Sequence, residues 1–160
     1  MTISFEDVIN DTQVGEDLVV GEKIFLNESI SNYTVQHGLF GTVIFLEMKF
    51  TNIDFSGSYF ISCIFQNCKF DNCRFIKCDF QNLTFDNCQL QNCDFAKATF
   101  HDSTFLSSNF AEIKCQAIVF DNIKFISTKF EKSDLSHSIV SSSKIWKSYQ
   151  FTENSSDLEN

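Results

Sequence analysis

A phenylalanine on every fifth residue constrains this chain more than any other feature. Nineteen of its 20 Phe fall on multiples of five, at Phe5, Phe25 and then with few gaps from Phe40 to Phe130, and only Phe151 leaves the phase. Where the beat lacks a Phe it supplies Ile30, Val35, Leu90, Cys115, Leu135, Val140 or Ile145, all apolar. Neither a helix of period 3.6 nor a plain strand of period 2 holds one phase at five for roughly a hundred residues. The pentapeptide is therefore a structural unit that is used over and over.

Within each unit the residue two places before the Phe is small or apolar, as at Val43, Met48, Ile53, Ser58, Cys63, Cys68, Cys73 and Cys78. The residue between them is often polar or charged, as at Lys49, Asp54, Lys69, Arg74, Asp79 and Asp94. In, out, in over three residues is the pattern of a short strand with one buried face. The last two places must turn a corner, and the second of them holds nine of the 13 Asn in the chain, among them Asn52, Asn72, Asn87 and Asn92. Asn tolerates left-handed backbone angles and caps its own turn. Short strands joined by identical bends predict an all-β solenoid.

On these residues the chain resembles the pentapeptide-repeat proteins, whose motif is a small residue, a polar one, Leu or Phe, then two variable ones. The match covers residues 18–147, or 26 pentapeptides, with Cys in the middle coils where Ala is more usual. The resemblance implies a right-handed quadrilateral β-helix with four pentapeptides per coil, so that residues 20 apart stack. The 26 pentapeptides make about six and a half coils, which at a strand spacing of ~4.8 Å give a rod roughly 31 Å long. Its end coils present open edges that need caps. Residues 1–17 and 148–160 are assigned to that role, and the stretch from Ser4 to Asp11 is expected to form a short helix capped by Ser4 with Asp7 opposite.

The seven Cys are odd in number and all keep the beat, which suits reduced packing residues better than a disulfide framework. No apolar run is long enough to span a membrane, and the acidic N-terminus is unlike a secretory signal. The expected location is the cytoplasm. Stacked thiols such as Cys68 over Cys88 have no His or carboxylate beside them to complete a metal site. His101, Asp121 and Ser141 share one outward column, but Asp stands between the other two, leaving base and nucleophile roughly 10 Å apart on strand spacing. No Gly-rich phosphate loop occurs either. The expectation is a non-enzymatic protein without cofactor or metal.

The formal charge is −9, yet residues 1–22 hold six acids and no base, and residues 148–160 hold three acids and no base. Residues 23–147 carry 12 acids and 12 bases, so no basic stripe for nucleic acid emerges. With four pentapeptides per coil, one side carries Asp79, Asp102 and Asp121 without Lys or Arg, a candidate acidic side. Another side exposes a candidate apolar contact column of Ile24, Leu26, Ile44, Leu46, Ile64, Leu106, Ile126 and Trp146. The expected function is a protein-binding or scaffold module that presents the flat sides of the rod to another protein. The resemblance adds an alternative: quinolone-protection relatives mimic duplex DNA and bind type II topoisomerases such as gyrase, and the acidic side is where such mimicry would reside. In the same relatives the last coil makes a dimer, for which Trp146, Tyr149 and Phe151 are candidate contacts.

Overall fold

The computed structural model describes residues 3–12, 16–142, 144–145 and 150–152, the last two short segments as backbone only. It is an all-β solenoid of about six coils, with three seven-stranded parallel sheets forming three of its four sides. The first side begins with Val19–Gly21, the second with Ile24–Leu26 and the third with Ser29–Ser31. Until the last strand of the third sheet, each strand pairs with the strand 20 residues further on, so that Phe80 lies beside Phe100 and Phe85 beside Phe105. The fourth side carries only single bridges, from Thr34 through Asp54, Arg74, Asp94 and Lys114 to Asp134.

The burial pattern follows the pentapeptide. Strand after strand buries its central Phe and turns both neighbours outward. Rings 20 residues apart stack, as in Phe40 on Phe60 at 4.6 Å and Phe80 on Phe100 at 4.3 Å, with interplanar angles of 8° and 10°. Rings on adjoining sides meet edge to face, for example Phe65 and Phe70 at 5.5 Å. Both geometries suit the quadrupole of an aromatic ring.

The smaller inward site has a polar duty that its residue types disclose. Cys68 Sγ donates to the Phe45 carbonyl of the preceding coil at 3.3 Å, and Cys88 Sγ does the same to Phe65 at 3.2 Å. At equivalent places Ser108 Oγ donates to the Phe85 carbonyl and Thr128 Oγ1 to the Phe105 carbonyl. Cys, Ser and Thr thus share one position because each is narrow and carries a hydrogen that can join two coils.

Corners explain the Asn. The second turn residue has φ between 49° and 62° at 24 non-glycine positions, from Glu22 to Ser142. Asn supports this left-handed backbone and also forms ladders, with Asn72 Nδ2 donating to Asn52 Oδ1 at 2.7 Å and Asn52 Nδ2 to Asn32 Oδ1 at 2.9 Å. Thr42, with φ 56°, is β-branched in the same strained region. At Gly57, φ 73°, an added Cβ would also collide with the His37 ring at 2.7 Å.

The fourth side turns more tightly. Amides of Ser58, Cys78, Ala98, Ile118 and Ser138 bond back to the carbonyl three residues earlier, and only bridges join the coils there. Asp54, Asp94 and Asp134 brace these turns by accepting from the amide two residues on, each at 3.0 Å. Burial opposes ionisation of Asp54, but hydrogen bonds from Ser56 and Gln36 together with the Arg74 guanidinium at 3.4 Å hold its pKa below the ordinary carboxylate value.

A seven-residue helix α1, Phe5–Asp11, closes the first coil. Its capping box is the expected one, Ser4 Oγ accepting from the Asp7 amide and Asp7 Oδ2 accepting from the Ser4 amide. Phe5 leaves the repeat and enters the tube end, its ring 4.9 Å from Phe25 and 5.4 Å from Phe45. At the other end the register shifts by one residue: strand Gln150–Thr152 continues the third sheet with Phe151 beside Phe130. The residue that leaves the five-residue phase therefore stands where its backbone keeps the coil.

Candidate functional site

The outward residues are distributed unevenly around the rod. On the second side Ile24, Ile44 and Ile64 form one lane along the rod axis and Leu26 and Leu46 form a second, with Ile24 59% and Leu26 56% exposed. On the first side Val19, Leu39 and Tyr59 form a further lane, Val19 being 68% exposed, and Ile61 stands across the corner from Ile64. Gly21 and Gly41 occupy the outward places beside that lane, and nothing lies within 4 Å of a Cβ built on Gly41. The strand backbone is thereby laid open between the lanes. We term this region, where the first and second sides meet over the first three coils, the front edge.

Seven of the nine large exposed hydrophobics among the described residues belong to it; Ile3 and Ile139 are the others. The apolar column expected along much of the rod is accordingly two patches. Gln66 and Asp86 interrupt it, joined to each other at 3.2 Å, and the partly buried Leu106 and Ile126 lie beyond. Trp146 and Tyr149 lie outside the described residues, and Phe151 is described by its backbone alone. Helix α1 does not cover the front edge. It is tethered elsewhere, through the Phe5 amide to Glu28 Oε2 at 2.8 Å and through Glu6 to the Tyr33 hydroxyl at 2.7 Å. Val19, Leu39, Tyr59 and Ile61 were legible only by reading outward residues of the first side at intervals of 20.

The three carboxylates of the acidic side are held by neighbours, two of them in their own sheet and Asp102 at the corner beside it. Asp79 accepts from Thr99 at 3.2 Å and from Gln81 at 3.3 Å, and Asp102 accepts from Asn122 at 2.6 Å. Asp121 accepts from Ser141 at 2.8 Å and pairs with His101 Nδ1 at 3.5 Å. The column of His101, Asp121 and Ser141 thus has its carboxylate between the other two, and the serine donates to Asp rather than to His. A nucleophile and base must touch each other directly.

All seven thiols are buried and free. Burial pushes the Cys63 thiol up, Cys78 to about 12, and Cys115 higher still. In the stacked pairs the neighbouring thiol pulls Cys68 and Cys73 down and, with burial, drives Cys88 and Cys93 up. No group of three His, Cys, Asp or Glu that could hold a metal occurs among the described residues, and no described helix is long and apolar enough to cross a membrane.

The geometry so far defines a class, the parallel β-solenoid with a five-residue unit and four units per coil. Residues 39–115 match the family model described as Pentapeptide repeat region, so the chain carries a pentapeptide-repeat domain, and the sheet register continues it on both sides of that match. Among solved structures it is similar to a pentapeptide-repeat protein, Rfr23, from the cyanobacterium Cyanothece 51142, at 11% identity and a TM-score of 0.52, over 80% of this chain and 90% of that one. It is also similar to trypsin-treated QnrB1, a plasmid-mediated fluoroquinolone resistance protein, at 15% identity and a TM-score of 0.44, over 84% of this chain and 83% of that one. HetL, a pentapeptide-repeat protein involved in heterocyst differentiation regulation in Nostoc sp. strain PCC 7120, matches at 6% identity and a TM-score of 0.35, over 86% of this chain and 70% of that one. No curated protein matches the sequence.

Proposed function

We propose that this pentapeptide-repeat rod is a non-enzymatic protein-binding module whose contact surface is the front edge. One observation carries the reading: seven of nine exposed large hydrophobics gather on two adjoining sides of the first three coils, beside the open backbone at Gly41. A contiguous exposed apolar patch costs solubility, and surfaces of this kind commonly mark protein contacts. The flat sides of a solenoid hold such a patch rigidly, which lowers the entropy lost when a partner docks.

The test is capture from an extract of the source cells on immobilised wild-type protein, Ile64→Lys and Lys69→Glu, the last on the third side. A partner that is retained by wild type and Lys69→Glu and lost by Ile64→Lys is the expected result. If every captured protein binds all three equally, the reading fails.

The DNA-mimic alternative draws less support from the geometry, because Asp79, Asp102 and Asp121 each answer a donor one coil away instead of standing free as phosphates do. It makes a separate demand. Gyrase supercoiling in the presence of a quinolone would respond to the protein, and the response would fade with salt and with neutralisation of those three residues.

A further inference from the structure

The front edge carries a charge signature as well as an apolar one. The lanes of its second side are flanked by Glu22 at one corner and Glu47 at the other, and Asp86 closes them below. Glu16, Asp17 and Asp79 extend the acidic rim around the first side, whereas among the described residues the bases there are Lys23 and, at the corner before Asp79, Lys77. The other bases of these coils, Lys49, Lys69 and Arg74, stand on the third and fourth sides. An apolar strip with acids on both flanks selects a partner that is apolar along one line and basic on either side of it. It also opposes a second copy of itself and an anionic membrane, both of which would bring like charge to the rim.

Spacing decides what shape that partner has. Side chains in each lane repeat at the distance between coils, ~4.8 Å. A helix laid along the rod presents its apolar stripe once per turn, about 5.4 Å. Over the two intervals from Ile24 to Ile64 the mismatch is about 1.2 Å, within what Ile and Leu rotamers absorb. An extended strand repeats on one face about every 6.7 Å and would slip by nearly 4 Å over the same distance. The isoleucine and leucine lanes, two residues apart on each strand, leave a valley roughly 6.7 Å wide that can seat one row of helix side chains.

We infer that the front edge takes a basic amphipathic α-helix of the partner protein, laid along the rod with its apolar stripe between the Ile24–Ile44–Ile64 and Leu26–Leu46 lanes and its Lys or Arg residues reaching Glu22, Glu47 and Asp86. The inference rests on the reading of the front edge as a protein contact, and it names the chemistry of the segment that binds there.

The probe is a fluorescent Leu/Lys peptide of about four helical turns, followed by anisotropy as the full-length protein is added. A scrambled peptide of identical composition and a Leu/Glu peptide of the same pattern serve as controls. The amphipathic Leu/Lys helix should bind at least tenfold more tightly than either, more weakly as salt rises. Ile24→Lys and Ile64→Lys, both at exposed positions that leave the core untouched, should each lower affinity at least tenfold; Glu47→Lys should lower it severalfold, and Lys69→Glu should leave it unchanged.

Equal binding of the scrambled peptide would overturn the inference. So would insensitivity to both isoleucine substitutions, a sedimentation dimer broken by Ile64→Lys, or preferential binding to phosphatidylserine vesicles. If no peptide binds while Ile64→Lys still loses a captured partner, the helix inference falls and the front-edge reading stands. If capture is insensitive too, both fall.

Discussion

Phe5→Ala tests how the rod is closed at its N-terminal end. Phe5 is the buried residue of α1, fully enclosed among Phe25, Phe40, Phe45 and Phe50. Truncation to Ala returns roughly 150 Å² of apolar surface to water. At ~25 cal/mol per Å² this is about 4 kcal/mol, inside the range measured for buried Phe→Ala changes. What remains is two polar tethers, from the Phe5 amide to Glu28 and between Glu6 and Tyr33, the second open to water, which competes for both partners. A helix of seven residues does not persist alone in water, so α1 should leave the tube end.

Because each coil contacts only its neighbours, the loss should stay local and not unfold the rod. Among the amides that join the first coil to the second are those of Leu39, Ile44 and Lys49, which donate to Leu18, Lys23 and Glu28. In native-state hydrogen exchange they should quicken by up to about a thousandfold, since every 1.4 kcal/mol is a factor of ten. Amides in mid-rod, such as Gln89 and Asp94, should keep their protection. Unchanged exchange at Leu39, Ile44 and Lys49 would refute the idea that Phe5 holds the end closed. A uniform loss of protection along the whole rod would refute the local character of the coils.

Thr42→Asn should stabilise the protein by about 0.5–1 kcal/mol in urea denaturation, because Thr42 is β-branched at φ 56° where Asn fills many equivalent corners. Asp54→Ala should cost about 1 kcal/mol by removing the acceptor for the Ser56 amide and Gln36; the stabilisation from Asp54 is present above its unfolded pKa and is lost as pH falls through its depressed folded value, which acid titration of both proteins will show. The raised thiols act in the opposite direction: above about pH 9 the unfolded chain releases thiol protons that the folded Cys78 keeps up to about 12, so stability should fall with rising pH and fall less in Cys78→Ser. Because all seven are buried, thiol reagents should find no fast-reacting Cys in the native protein at pH 8 and seven on unfolding.

The sequence by itself determined the pentapeptide as a unit, which of its residues point inward, where it bends, and the capping box at Ser4 and Asp7. These follow from steric and solvation preferences that operate within five residues, so they repeat wherever the pattern repeats. It could not determine what happens between units. Four pentapeptides per coil, the number that places Ile64 over Ile44 and Tyr59 over Leu39, came from a family resemblance and not from the beat, since the beat alone does not say how far the chain turns at each bend. Only the tertiary structure decided that the fourth side closes with tight turns and bridges, and that Phe151 rejoins the register one residue late. It also split the expected apolar column at Gln66 and Asp86 and joined its upper part to Val19, Leu39, Tyr59 and Ile61 on the neighbouring side. Contacts across a corner or between coils depend on the angle accumulated over many residues, and no single pentapeptide contains that angle.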